Sequence, residues 1–198
     1  MKAALCKTLD GPQALSIEDI APPSPTSGQA LVRVTAVGLN FADTLITKGK
    51  YQFKPELPFA PGAEIAGVIE QPAAGSALKA GQRVTAYVGW GGAAEQVAVD
   101  ADMLVPIPDA VPDAVAAGLT VTYGTAIHGL KDRGRLQPGE TIVVTGAAGG
   151  AGQAAVEVAA LMGARVIAVA SSAEKIAMAR EAGASDGILF PGSDLKTA

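Results

Sequence analysis

The residues from Thr141 to Ala173, TIVVTGAAGGAGQAAVEVAALMGARVIAVASSA, have the types and spacing to hold a phosphate. Ile142, Val143 and Val144 form a β-branched run, and Gly146, Gly149, Gly150 and Gly152 follow at once. An Ala- and Val-rich segment without proline comes next, then Gly163 and a second β-branched run at Val166, Ile167 and Val169. Strand, glycine turn, helix and strand within such a length make a βαβ nucleotide-binding unit. Glycine suits this turn because bare backbone lets a pyrophosphate approach and lets helix pack on strand. The first amides of the helix have no internal partner and meet the phosphate charge. In the G-x-G-x-x-G register that starts at the end of the strand, the three positions are Ala147, Gly149 and Gly152, so the first glycine is alanine. A shifted register (Gly150, Gly152, Ala155) starts well past the strand. The same glycines could serve helix–strand packing alone.

Past the second strand come Ser171, Ser172 and Lys175. Folds that bind NAD place an acidic residue at this strand end, on the ribose 2′-hydroxyl. This chain has none there, and an ammonium with two hydroxyls suits a 2′-phosphate. An alternative is that Ser171 and Glu174 form a capping box and Lys175 is solvated surface.

Metal chemistry is poorly supplied. Cys6 and His128 are the only cysteine and the only histidine, and one of each cannot provide three zinc ligands of those types. A lone cysteine also excludes an internal disulfide, and its apolar AALC setting reads as a half-buried strand position. The 198 residues are 49% hydrophobic and 17% charged, a globular composition. The net charge of −4 argues against a nucleic-acid surface. No apolar run is long enough to span a bilayer, and the first ten residues do not read as a signal peptide.

The elements that must position these groups divide into two kinds. Lys2–Lys7 and Ala14–Ile20 read as strands around an Asp10-Gly11-Pro12 turn, and 21–28 is a proline-rich loop. Gln29–Val37 alternates as a half-exposed strand, and Asn40 is placed to cap a short helix. After the proline-rich loop 50–62, strands are expected at Ile65–Glu70, Arg83–Val88, Glu95–Val99 and Met103–Ile107, the spacing of a small β-barrel. Pro112 opens a short helix, Leu119–Lys131 reads as a longer one, and Pro138-Gly139 turns into the nucleotide-binding strand. The composition changes near Thr120, which sets the expected domains at 1–120 and 121–198.

Three separated motifs then coincide: GLNFADTL at 38–45, PGAEIAGVIE at 61–70 and GAAGGAGQAAVEVAALMGA at 146–164. Together, and along the whole chain, they resemble the medium-chain dehydrogenase/reductase superfamily, in its zinc-free NADPH:quinone oxidoreductase branch. The resemblance implies an α/β protein: a GroES-like β-barrel catalytic domain followed by a partial Rossmann domain. Ala63 stands where the zinc alcohol dehydrogenases of the superfamily carry a zinc-binding His, and Asn40 where they carry the first Cys ligand. Their four-cysteine structural zinc lobe is missing, so no metal site is expected.

By the same resemblance, Asn40 and Tyr51 hydrogen-bond the acceptor's oxygen, Thr120 contacts the nicotinamide, and NADPH is the cofactor. Ala147, Gly149, Gly150 and Gly152 then hold its pyrophosphate, and Ser171, Ser172 and Lys175 its 2′-phosphate. Plainer roles stand beside these: a helix cap for Asn40 and for Thr120, a barrel cover for Tyr51, and scaffold for Asp43 and Glu64. Leu45 and Phe190 replace tyrosines common in the family. The expected activity is hydride transfer from NADPH to a quinone between the two domains. Reduction of a conjugated C=C in an enone or enoyl thioester is the alternative, and non-catalytic NADPH binding of the crystallin kind is another. A cytoplasmic homodimer is expected of the full-length protein. Only Gly187–Phe190 could add a third strand, so more residues are expected to follow in the natural chain.

Overall fold

The structure, a computed structural model, describes residues 1–190. The chain divides after Val121 into two compact units. Among the described residues no helix is long and apolar enough to cross a membrane.

The first unit is built on antiparallel strands. β1 (Lys2–Leu5) and β2 (Ser16–Asp19) form a two-stranded sheet. The main sheet contains β3 (Gln29–Gly38), β4 (Glu64–Gln71), β5 (Arg83–Tyr87), β6 (Gln96–Asp100) and β7 (Val105–Pro106), in the order β6-β3-β4-β5-β7. Alternation decides its faces. Ala30 and Val32 of β3, Ile65 and Ile69 of β4, Val84 and Ala86 of β5, and Val99 of β6 share one face and meet in one buried cluster. On β4 the intervening Ala66 packs with Ile107 and with Ala116 and Ala117 around α2 (Asp113–Ala116). β1 is tied to the rest by bridges from Ala3 to Ala94 and from Cys6 to Phe59. Cys6 lies just past the strand and is fully buried rather than half-buried, because Ile46 and Phe59 cover it.

Two expected elements come out differently. Met103–Ile107 is a two-residue strand preceded by a 3-10 turn at Ala101–Met103. Pro106 has no N–H to extend a ladder, and β7 accordingly sits at the sheet edge. Leu119–Lys131 is not one α-helix. α3 spans Thr122–Ile127 and passes into a π-helical stretch, His128–Arg133, closed by a Gly134 N–H to Gly129 carbonyl bond of 2.8 Å. The three residues before α3 stay outside it, and two of them are bound elsewhere, as described below.

The second unit is a parallel sheet in the order β10-β9-β8, with β8 at Thr141–Thr145, β9 at Arg165–Ala170 and β10 at Asp186–Leu189. α4 (Gly150–Leu161) crosses from β8 to β9, and α5 (Ala173–Glu181) from β9 to β10. α4 is apolar on more than one side because it has two neighbours. Val156 and Ala159 face the sheet core, while Ala154 and Val158 pack against Ala126 of α3. Gly163, at φ 82°, ends it in the left-handed conformation that closes helices.

A polar clasp fastens α2 to the sheet of the first unit. Asp113, its first residue, accepts from the Thr35 hydroxyl at 2.7 Å and from the Arg83 guanidinium at 2.6 and 2.9 Å. These bonds hold the Asp113 carboxyl below its usual range, Thr35 contributing most and Arg83 next. A lowered carboxylate pKa adds stability that is complete above the unfolded value, near 4, and is lost as pH falls through the folded value. Both side chains are about 30% exposed, so the clasp contributes about 1 kcal/mol. Asp113→Asn is therefore expected to melt a few degrees below the parent at pH 7. The gap should begin to narrow as pH falls below ~4 and should close only at the lower pH where the folded carboxylate is protonated too.

Candidate functional site

Two groups of residues stand out, one in each unit. In the first unit they form a cleft lined by Asn40, Asp43, Tyr51, Ala63, Tyr87 and Val121, among others. α1 (Phe41–Ile46) brings Asn40 and Asp43 to it. Asn40 sits at the helix cap, and its backbone N–H donates to the Asp43 carboxylate at 2.7 Å. The other Asp43 oxygen accepts from the Gly62 N–H at 2.8 Å, so this buried carboxylate ties the helix start to the turn before β4. Gly62, at φ 94°, has a conformation that side chains rarely adopt.

Behind the cleft lies Glu64, 1% exposed. One oxygen accepts from the Asn40 side-chain amide at 2.9 Å. The other accepts from the Thr120 hydroxyl at 2.6 Å and from the Val121 N–H at 2.8 Å. Thr120 is therefore not a helix cap, and its hydroxyl proton is already committed to Glu64. Gly38 makes the room for this. A Cβ there would lie 2.2 Å from the Ala117 carbonyl oxygen and 2.5 Å from Glu64 Cγ.

Tyr51 has two faces. It packs against the cluster of Cys6, Ile46 and Phe59, and its ring meets Phe53 at 5.9 Å. The rest of it lines the cleft together with Asn40. Tyr87 does not stand out in the sequence. It is the cross-strand partner of Glu64 on β5, a relation only the strand register reveals. Burial pushes its phenol above the ordinary range, and Tyr51 and Asp43 push the same way, so at neutral pH it remains an O–H donor. Leu45, partly buried on α1, adds no polar group. Among the described residues no three His, Cys, Asp or Glu side chains gather as a metal site.

In the second unit the glycine turn and the Ser171–Lys175 segment follow the ends of the neighbouring parallel strands β8 and β9. Gly146 takes the turn at φ 63°. Ala147 is completely buried in the core, and its N–H donates to the Val169 carbonyl at 3.2 Å. Its visible part is packing rather than an open amide. Gly149 caps α4, which leaves Gly150, Ala151 and Gly152 as the first amides without a carbonyl four residues back.

The glycines differ in what demands them. A Cβ on Gly152 would lie 2.2 Å from the Gly146 carbonyl oxygen, so close packing excludes any side chain. On Gly149 it would meet only that oxygen at 3.4 Å, and on Gly150 only a Thr122 methyl at 3.7 Å. At those two positions the fold has room for alanine, and a side chain would cover the open helix end.

At the end of β9, Ser172 caps α5 and accepts the Lys175 N–H at 3.3 Å. The cap is thus Ser172 rather than Ser171. Ser171 is left to accept from the Lys175 ammonium at 3.0 Å, and both are exposed. One hydroxyl and a cation meet here, while the Ser172 hydroxyl is taken up by the helix cap.

The comparisons agree with this layout. Residues 26–109 match the alcohol dehydrogenase GroES-like domain. Quinone oxidoreductase-like protein 2 of Rattus norvegicus is 42% identical over 199 residues, covering 100% of this chain and 56% of its own length. Quinone oxidoreductase of the same species is 36% identical over 177 residues, 88% of this chain and 54% of its own. Among solved structures, the quinone oxidoreductase of Thermus thermophilus, described with its NADPH complex, superimposes with a TM-score of 0.84 at 42% identity. That match covers 94% of this chain and 59% of the other. Along its whole length the chain is similar to quinone oxidoreductases of the medium-chain dehydrogenase/reductase superfamily. It spans little more than half the length of these relatives.

The two units permit two stability tests. Gly152→Ala is expected to cost about 1–3 kcal/mol through overpacking against the Gly146 carbonyl, while Gly149→Ala stays within ~0.5 kcal/mol, both read by denaturant melts. Glu64→Ala strips the acceptor from three donors at once and is expected to cost about 3 kcal/mol. Glu64→Gln keeps the shape and one oxygen, and its loss on the same measurement should be less than half as large.

Proposed function

We propose that this chain carries the catalytic cleft and the first part of the cofactor site of an oxidoreductase that reduces quinones with NADPH. One observation carries the reading. At neighbouring strand ends, a helix start with two glycines that packing does not require, Gly149 and Gly150, lies beside Ser171, Ser172 and Lys175. The residues present fit such a dinucleotide. Gly149, Gly150 and the first amides of α4 would face its pyrophosphate, where neither glycine offers a Cβ to obstruct it. Lys175, already drawn to Ser171, would face the 2′-phosphate, and no carboxylate stands at the end of β9 to repel it. The relatives named quinone oxidoreductases support the same assignment.

When bound, the reduced nicotinamide supplies a hydride. The chain's own side chains have the complementary task at the acceptor. Negative charge collects on a quinone oxygen as the ring takes electrons, and donors aimed at that oxygen stabilise it. Tyr51 offers its phenol, and Asn40 has a second amide proton beyond the one given to Glu64. With Ala63 and Asn40 in place of family zinc ligands, these donors would stand in for a Lewis acid, which suits an electron-poor quinone better than a simple ketone. Glu64 holds the Asn40 amide in one orientation and thereby acts as a positioning residue.

NADPH loss followed with and without a quinone tests the activity, and no acceptor-dependent oxidation would overturn it. An enone or enoyl thioester offered in parallel separates the related C=C reduction. For the cofactor, Lys175→Ala is expected to weaken NADPH binding about tenfold, the size of one exposed charge-assisted hydrogen bond. NADH affinity should hardly change, and added salt should narrow the difference between the two nucleotides. Parallel losses for both nucleotides would leave Lys175 as helix surface.

A further inference from the structure

The chain has three tyrosines. Tyr123 spends its hydroxyl proton on Glu157 of α4, at 2.5 Å. Tyr51 and Tyr87 both line the cleft, and among the described residues neither phenol has a hydrogen-bond partner. No buried polar side-chain atom of the described residues lacks one, so these two hydroxyls lie open to whatever enters the cleft. They come from different walls. Tyr51 follows α1, which brings Asn40, and Tyr87 ends β5.

The strand register sets where the second phenol starts. Glu64 and Tyr87 are directly opposed on β4 and β5. Opposed residues of an antiparallel pair project from one face, with Cβ atoms about 5 Å apart. Glu64 gives one oxygen to the Asn40 amide at 2.9 Å. Tyr87 thus rises beside the carboxylate that orients Asn40, on the same face of the sheet. Burial, together with Tyr51 and Asp43 nearby, keeps its proton on the oxygen at neutral pH. The two phenols differ in support. Tyr51 packs on the cluster of Cys6, Ile46 and Phe59, whereas Tyr87 keeps 41% of its surface exposed. A half-exposed phenol can pass on a proton and regain it from water.

We infer that Tyr87 is a further catalytic residue, the donor from the β5 wall that completes an oxyanion pocket with Tyr51 and Asn40. The inference rests on the quinone-reductase reading and deepens it, because it names the group that meets the oxygen from the second side. A hydride brings one hydrogen and two electrons to the quinone, whose conjugated system carries the negative charge onto an oxygen. That oxygen has more than one lone-pair direction, and donors on both walls can use them together. It takes the Tyr87 proton, and the tyrosinate regains one from water. Quinone, NADPH and one proton thereby become hydroquinone and NADP+.

The anion of 4-nitrophenol, a stable oxyanion whose absorbance reports binding, tests the pocket without turnover. It is expected to bind saturably. Tyr87→Phe removes one oxygen from a half-exposed ring and should weaken that binding about tenfold, with the thermal melt unchanged. Tyr123→Phe, which alters a phenol outside the cleft, should leave the affinity as it is. In turnover with NADPH, Tyr87→Phe should lower kcat for a quinone about tenfold and move KM less than twofold. Absence of saturable binding to the parent overturns the pocket. Equal affinity in parent and Tyr87→Phe, or an unchanged kcat, overturns the role of Tyr87. A tenfold loss of binding in Tyr87→Phe, without any acceptor-dependent NADPH loss in the parent, keeps the oxyanion pocket and overturns only the reductase reading.

Discussion

In the first unit, the buried carboxylate of Glu64 organises the cleft. It collects a side-chain amide from the start of α1, a hydroxyl from Thr120 and a backbone N–H from Val121. These donors come from segments far apart in the chain, and among the described residues no cation shares the task of holding Glu64. A carboxylate taken from water needs its lone pairs used, so the donors must stay in place for the carboxylate to stay buried. The chain after α2 consequently runs to Glu64 before it turns into α3. Asn40, for its part, has one amide proton drawn inward, which settles how the rest of its amide is presented.

The second unit works on the opposite principle. Its site is made by leaving things out: amides without a carbonyl four residues back, and glycines where packing would accept alanine. Gly152 is the exception, because helix α4 rests on the turn there. One turn thus contains a glycine that folding demands and two that the fold does not require.

Much of this was legible in the sequence, for identifiable reasons. The βαβ unit announced itself because two β-branched runs and an Ala- and Val-rich stretch between them are separated by glycines, and the alternation of Gln29–Val37 marked β3. Glu64 and Asp43 could be picked out as scaffold, but their donors could not. Those bonds join residues up to 57 positions apart, set by strand pairing rather than by local pattern. Tyr87 was hidden for the same reason. The break in the expected 119–131 helix followed from the pull of Glu64 on Thr120 and Val121, which no local propensity encodes. The choice of Ser172 over Ser171 as cap was a one-residue matter of where β9 ends, the kind of boundary that patterns resolve least well.

Gly38 has a consequence for how such a cleft can diversify. With backbone oxygen on one side and Glu64 on the other, the position admits no side chain at all. Gly62, strained for any other residue, fixes the neighbouring turn in the same way. The rear of the cleft is thus closed to variation, and a library randomised there would mostly return unfolded clones. New ligand preferences of the cleft must arise at the front, on the loop and strand that carry Tyr51, Phe53 and Tyr87. Evolution or a designer can rewrite that wall one residue at a time while the rear stays constant.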